Sequence, residues 1–236
     1  MRNLLLSCEA SEESVEQLSR LGYGVIRLPK FTRLPPPIAS HPDSLVFKGG
    51  GRLITDGDYY GENEELFRNI ERLSGLTVIK TRERLGNKYP SDTGLNAISI
   101  GNYLFCRTDS IFGEVLDCAR ELGLEIVNTK QGYPACSTLK IAENAVICAD
   151  KGLSRLYRSR GIRVYEIEVG EILLPPYEYG FIGGASLCLD DKAAFFGDIL
   201  RHPSAKIICD ALSEHSLTAV SLGAGRLYDL GGGILL

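Results

Sequence analysis

The sequence predicts an α/β ring of five ββαβ units, the last unit shared between the two chain ends. Three observations predict it. First, a polar start, two short apolar runs around a tight turn, a helical stretch and a closing apolar run recur. The copies start at 41, 89, 133, 179 and 228, separations of 48, 44, 46 and 49 residues, and a period of this size marks repeat arrays and propellers. Second, each helix follows a two-strand hairpin, whereas a doubly wound parallel sheet supplies one strand per helix. Third, the last copy stops after one strand, and residues 1–31 read as the missing strand, helix and strand. Joining the two ends closes the ring and removes exposed sheet edges.

The elements follow in order. Asn3 to Cys8 is a short apolar run. Ser11 is a fitting N-cap, with Glu12 and Glu13 in the first turn where the helix dipole favours acids. Val15, Leu18 and Leu21 make a stripe at helical spacing, Gly22 ends the helix and Val25–Leu28 resumes a strand. Pro29, Pro35, Pro36 and Pro37 make residues 29–40 an extended connector.

The stretch His41–Thr55, HPDSLVFKGGGRLIT, is the first complete hairpin, turning on Gly49–Gly51. A helix over 63–73, with Leu66, Ile70 and Leu73 on one face, and strand Leu76–Ile79 complete that unit. The second unit has strands Ala97–Ile100 and Tyr103–Cys106 around Gly101-Asn102, a pair suited to a tight hairpin. Helix 110–122 buries Val115, Leu116, Ala119 and Leu122, and Leu124–Asn128 closes the unit. The third has strands Thr138–Ile141 and Ala145–Cys148, helix 152–159 and strand Ile162–Ile167. The fourth has Ser186–Leu189, Ala193–Phe196, a helix near 204–213 and Leu217–Ser221. Tyr228-Asp229, three glycines and Ile234–Leu236 open the fifth. The whole reads as a single domain over 1–236, with units at about 41–88, 89–131, 132–178, 179–227, and 228–236 plus 1–31.

A net charge of −4 and a pI of about 5.5 predict no nucleic-acid partner and no anionic membrane surface, both of which need a basic face. The opening MRNLLLSCEAS holds too short an apolar run for a signal peptide or a membrane span. The seven cysteines are scattered and form no CxxC pair, so free thiols in the cytoplasm are the expectation. Three histidines and no finger-spaced ligands predict no metal, and no cofactor motif is present. The glycine runs 49–51 and 231–233 lack the P-loop pattern.

Pro42-Asp43-Ser44-Leu45-Val46-Phe47 resembles the PDS-x-F stretch of the dimethylargininases. Gly231-Gly232-Gly233 resembles the glycine-rich entry to the last strand of many penteins, the guanidino-group-modifying superfamily. Together with the period, these stretches identify the chain as similar to a pentein of an uncharacterised branch, and the resemblance implies the five-unit α/β propeller. It further implies a site at one mouth of the ring, with a carboxylate from an early unit, a histidine from a middle one and a nucleophilic cysteine after the last glycines. The sequence departs at each place. Lys48-Gly49 stands where the dimethylargininases carry acids. The third unit reads Gly132-Tyr133-Pro134-Ala135-Cys136-Ser137 without histidine, and Gly233-Ile234-Leu235-Leu236 offers no cysteine. The superfamily also includes non-catalytic rings, among them a ribosome-binding translation factor.

The unit starts of such a ring meet near its axis, which brings together His41, Asp43, Asp92, Asn96, Cys136, Ser137 and Asp229. Convergent polar groups in a pocket are the default binding site. On the functional reading, Asp43, Asp92, Asn96, Ser137 and Asp229 hold a guanidino or amino-acid-like cation, His41 is a base and Cys136 a nucleophile. On the alternative reading, aspartates and serines at loop starts satisfy turn N–H groups and a free cysteine is a small buried hydrophobe. Two functions follow: a small-molecule site in the central channel, with hydrolase chemistry as one branch, or a non-catalytic binding or scaffold ring. The enzyme version requires His41, Asp43 and Cys136 to share one cavity. His202 and His215 read as solvated or capping residues. The tyrosines at 89, 133, 179 and 228 suit ring packing as well as ligand stacking.

Overall fold

A computed structural model describes residues 2–236. In chain order its elements are β1 (Arg2–Ser7), α1 (Glu12–Arg20), β2 (Tyr23–Leu28), α2 (Pro42–Leu45), β3 (Val46–Gly49), β4 (Arg52–Thr55), α3 (Gly57–Glu62), α4 (Glu64–Ser74) and β5 (Thr77–Lys80). There follow β6 (Ala97–Ile100), β7 (Tyr103–Cys106), α5 (Gly113–Glu121), β8 (Glu125–Asn128), β9 (Thr138–Ala142), β10 (Ala145–Cys148), α6 (Lys151–Ser159) and β11 (Arg163–Glu166). The chain ends with β12 (Ser186–Cys188), β13 (Lys192–Phe195), α7 (Ala205–Glu214), β14 (Thr218–Ser221) and β15 (Gly233–Leu235).

Local chemistry sets these boundaries. The Ser11 hydroxyl accepts from the Ser14 N–H and caps α1, Asp56 caps α3 and Asp150 caps α6. Gly50 and Gly51 both take positive φ, 54° and 72°, the pair of left-handed values that a two-residue primed turn demands. A two-residue turn can join only antiparallel strands, and a parallel pair needs a helical crossover. Every unit therefore repeats one pattern. β3-β4-β5, β6-β7-β8, β9-β10-β11 and β12-β13-β14 each hold an antiparallel hairpin, then a parallel third strand reached through a helix. The fifth sheet, β15-β1-β2, joins both chain ends, with Leu4, Leu5 and Leu6 facing Leu235, Ile234 and Gly233.

The five sheets surround one axis. The Asp43 N–H donates to Gly231 O, and Asn96 Nδ2 donates to Asp43 O. The Ala135 N–H donates to Asn96 Oδ1. The Gly184 N–H donates to Cys136 O, and Gly184 O accepts from Leu230 and Gly232. This circuit passes once through all five units and returns to its start. A channel cavity of about 380 Å³ is lined by residues of β3, β6, β9, β12 and β15, the innermost strand of each unit.

Apolar packing follows the same order, because each buried cluster bridges neighbouring units rather than filling one. Ile100 and Phe105 of the second unit meet Val146 and Leu153 of the third. Leu139 and Ile147 meet Phe195 and Ile208 of the fourth. Leu187 and Phe196 meet Leu4 and Leu18 of the fifth, and Leu5 meets Phe47 and Leu104 in the cluster that completes the round.

The structure differs from the sequence reading in several places, among them the short helices α2 and α3, which that reading lacks. Residues 29–40 are no extended connector: Pro36–Ile38 forms a 3-10 turn, and Phe31, Leu34 and Ile38 are buried in the core. The prolines fix φ without needing donors, and the Phe31 N–H closes the loop on Ala39 O. The buried faces of α4 and α5 are rotated from the expected ones. Phe67 and Ile70 are buried while Leu73 is exposed, and Val115, Cys118 and Ala119 are buried while Leu122 is exposed. His202 is buried rather than solvated, its Nδ1 accepting from the Ser204 N–H, while half-buried His215 is the C-cap of α7, as expected, and meets the Tyr165 hydroxyl. Among the described residues no helix is long and apolar enough to cross a membrane.

Candidate functional site

The loops that start the units carry polar side chains to one end of the axis. His41 stands at the N-terminus of α2, whose first turn is fixed by Pro42. Gly231 lies so close that a Cβ there would come within 2.3 Å of the His41 Cβ. A Cβ on Gly184 would come within 1.9 Å of Asp229 Oδ1. Only glycine fits either position, so these two residues let the fifth unit's loop lie against the first and fourth.

The product is a cavity of about 430 Å³, lined among others by His41, Asp92, Cys136 and Asp229. Asp92 and Asp229 are only 2% and 1% exposed. Asp229 Oδ1 accepts from the Gly231 N–H at 3.0 Å and Oδ2 from the Phe181 N–H at 2.8 Å. His41 Nδ1 is 3.7 Å from Asp229 Oδ1, beyond hydrogen-bond distance, and has no partner. Asp92 Oδ1 is likewise buried without a partner. Buried polar atoms are nearly always paired, so it is unusual that two residues lining one cavity each hold a buried atom without a partner.

The remaining sequence-predicted residues lie elsewhere. Asp43 lines the channel cavity, on the side of Lys48 and Lys140. Asn96 is 0% exposed. Its amide is engaged on every side: Nδ2 donates to Asp43 O at 3.1 Å and meets Cys136 Sγ at 3.3 Å, and Oδ1 accepts from Ala135. It serves the ring rather than the cavity. Ser137, one residue beyond Cys136, lines a smaller neighbouring cavity of about 230 Å³, where its Oγ has no partner.

Charge and burial act strongly here. Burial raises the pKa of Asp229, against the pull of His41 and the two backbone N–H groups. Burial also raises Asp92, with the Tyr133 hydroxyl opposing. Asp43 is pushed up to about 8, first by burial and then by the charge of Asp229. Burial, followed by the charges of Asp43 and Asp229, drives the Cys136 thiol well above its ordinary value. Burial lowers His41, so its imidazole is neutral at pH 7, although Asp229 pulls the other way. A thiolate nucleophile needs a nearby positive charge or a base to form. Here the thiol is surrounded by acids, and Asp43, though it lines the channel cavity, acts directly on the thiol and raises its pKa further.

Several lining residues carry no sequence signal. Tyr177, Glu178 and Phe181 come from the irregular lead-in to β12 and stand beside Tyr89, Tyr133 and Tyr179. The recurrence of tyrosine at unit starts pointed to 89, 133 and 179. Tyr228, the fourth of that set, lines a separate cavity near α1.

The family described as "Family of unknown function (DUF6873)" matches residues 5–235. No curated protein matches the sequence. Among solved structures, the fold is similar to DDAH from Pseudomonas aeruginosa complexed with citrulline, at TM-score 0.58 and 11% identity over 98% of this chain and 96% of that one. It is similar to the amidinotransferase SxtG from Microseira wollei, at TM-score 0.57 and 11% identity over 94% and 77%. It is also similar to C. jejuni agmatine deiminase, at TM-score 0.56 and 9% identity over 94% and 87%.

Proposed function

The chain belongs to the DUF6873 family and has the pentein fold, and on that premise we propose that its acid-floored cavity binds a small organic cation of the guanidino or amino class. One observation carries this reading. Among the described residues, the cavity lining contains the carboxylates Asp92, Asp229 and Glu178 and no lysine or arginine. A cation entering it would favour the ionised form of carboxylates that burial otherwise holds toward the protonated form, and attraction in such a poorly solvated place is strong. The solved structures with this fold include guanidino-group enzymes, which makes a cation of that class the natural starting point.

On this reading the site binds without a cysteine nucleophile. His41 and Cys136 do line the same cavity, which is what the hydrolase reading rests on. The thiol is held protonated and the imidazole neutral, and Asp43 lines the other cavity. These features favour the non-catalytic ring over the hydrolase.

The test is calorimetric titration of the whole protein with small guanidinium and ammonium ions, each paired with a neutral molecule of the same shape. The reading expects cations to bind at least about tenfold tighter than their neutral partners. Equal affinities would remove it.

A further inference from the structure

We infer that the cation this cavity prefers is a methylated ammonium rather than an unsubstituted guanidinium. The inference rests on the cation reading above and narrows it.

The walls above the acid floor are aromatic: Tyr89, Tyr133, Tyr177, Tyr179 and Phe181 all line the cavity. The Tyr89 and Tyr133 rings lie 5.8 Å apart and tilted by 40°, while Tyr179 and Phe181 lie 6.1 Å apart and nearly perpendicular at 87°. Rings set at angles to one another form a corner, not a flat stack. Tyr177 is 50% exposed, so its ring is accessible from solvent, whereas Tyr89 already carries the Arg107 guanidinium over its ring at 5.0 Å. Exposed large aromatic rings gathered at one cavity mouth mark a binding site.

Hydrogen-bond supply distinguishes the two cation types. An alkylguanidinium carries five N–H donors in a fixed plane, and each must find an acceptor when buried. The buried floor offers few wholly free ones, since the remaining carboxylate of the lining, Glu178, is exposed. Both Asp229 oxygens already accept backbone N–H groups, from Gly231 and Phe181. Asp92 Oδ1 is the one buried carboxylate oxygen in the cavity without a partner. Gln131 Oε1 already accepts from the Tyr133 N–H. A quaternary ammonium has no N–H to satisfy. Its charge is spread over methyl groups that pack on ring faces, and aromatic cages recognise such ions. The Phe181 N–H bonded to Asp229 also ties one wall ring to the floor charge. Ring face and carboxylate are therefore presented together.

The experiment compares tetramethylammonium, choline, guanidinium and 3,3-dimethyl-1-butanol, the uncharged analogue of choline, by calorimetry or ligand-observed NMR on the full chain. Choline and tetramethylammonium are expected to bind about tenfold or more tighter than guanidinium, and choline about tenfold tighter than its uncharged analogue. Tyr177→Leu, at a half-exposed position, should weaken choline about five- to tenfold, and Tyr177→Phe should retain most of the affinity. Guanidinium binding as tightly as tetramethylammonium, or the same choline affinity in Tyr177→Leu as in Tyr177→Phe, would overturn the inference while leaving the cation reading standing. The uncharged analogue binding as tightly as choline would instead remove the cation reading beneath it.

Discussion

The two cavities on the ring axis differ in the company that their acids keep. On one side Asp229 faces an aromatic cavity with no lysine or arginine in its lining, and two backbone N–H groups hold its oxygens. On the other side Asp43 lines the channel with Lys48 and Lys140, and Ser44 Oγ reaches its Oδ1 at a long 3.3 Å. Asn96 and Cys136 stand between them. Both lysines are themselves engaged, Lys48 with Leu235 O and Lys140 with Glu143. Among the described residues, one axis thus carries an acid side without lysine or arginine and a mixed side whose lysines are engaged within the chain.

The largest expected effect breaks the wall between the two sides. Asn96→Ala removes three contacts of a fully buried amide and leaves the Ala135 N–H without its acceptor. Leaving a buried donor unpaired costs about 1–3 kcal/mol, and the lost packing adds to it. Urea unfolding should show a loss of about 2–4 kcal/mol. A loss below about 1 kcal/mol would mean that the circuit of hydrogen bonds is not what holds the units in register.

The next comparison separates the two acids. Asp92→Asn keeps shape while removing a floor charge, and should weaken cation binding about tenfold. Asp43→Asn, on the channel side, should change it by less than about threefold, because its carboxyl, pushed up to about 8, is largely protonated at neutral pH. Equal losses in the two variants would merge the two sides into one site.

The pH dependence sharpens the same contrast. The Asp43 carboxyl rises from 3.8 to about 8 on folding, so the folded chain binds this proton more tightly than the unfolded one. The stability it contributes is fully present below pH about 4 and is lost as pH rises through about 8. Melting temperature without ligand should therefore fall between pH 6 and pH 9, and Asp43→Asn should flatten the decline. Cation affinity should move in the opposite direction and grow with pH, because burial raises the pKa of Asp92 and Asp229 and their ionisation adds the charge a cation needs. A melting temperature rising with pH in the wild type but not in the variant would contradict the assignment.

The smallest effect concerns the thiol. Cys136 is buried with its pKa well above the usual thiol range. It should react with a thiol reagent at pH 7 more than about tenfold slower than a free model thiol. Faster reaction would restore the nucleophile reading.

Much of the fold was legible because its repeat is long and regular. Turn residues such as Gly50-Gly51 and Gly101-Asn102 punctuate short apolar runs, and the split last unit is visible at both ends. The site was legible only as far as unit starts reach. His41, Asp92, Cys136 and Asp229 were named from that rule and line one cavity. Periodicity places a loop but not the direction of each side chain within it. Adjacent residues Cys136 and Ser137 thus line different cavities, and Asn96 turns inward to join units. Tyr177, Glu178 and Phe181 lie in a segment without period, where only the folded ring reveals what they face. Phe31, Leu34 and Ile38 were hidden by neighbouring prolines, which mimic an exposed linker until the apolar residues between them find a core.

The central claim is that buried negative charge in the aromatic cavity selects a cation. It is tested most directly by titrating the whole protein with choline and with 3,3-dimethyl-1-butanol, in the wild type and in Asp92→Asn. The account predicts about tenfold tighter binding of choline to the wild type, a gap that narrows markedly in the variant. Equal affinity of the wild type for the charged and the uncharged molecule would contradict it.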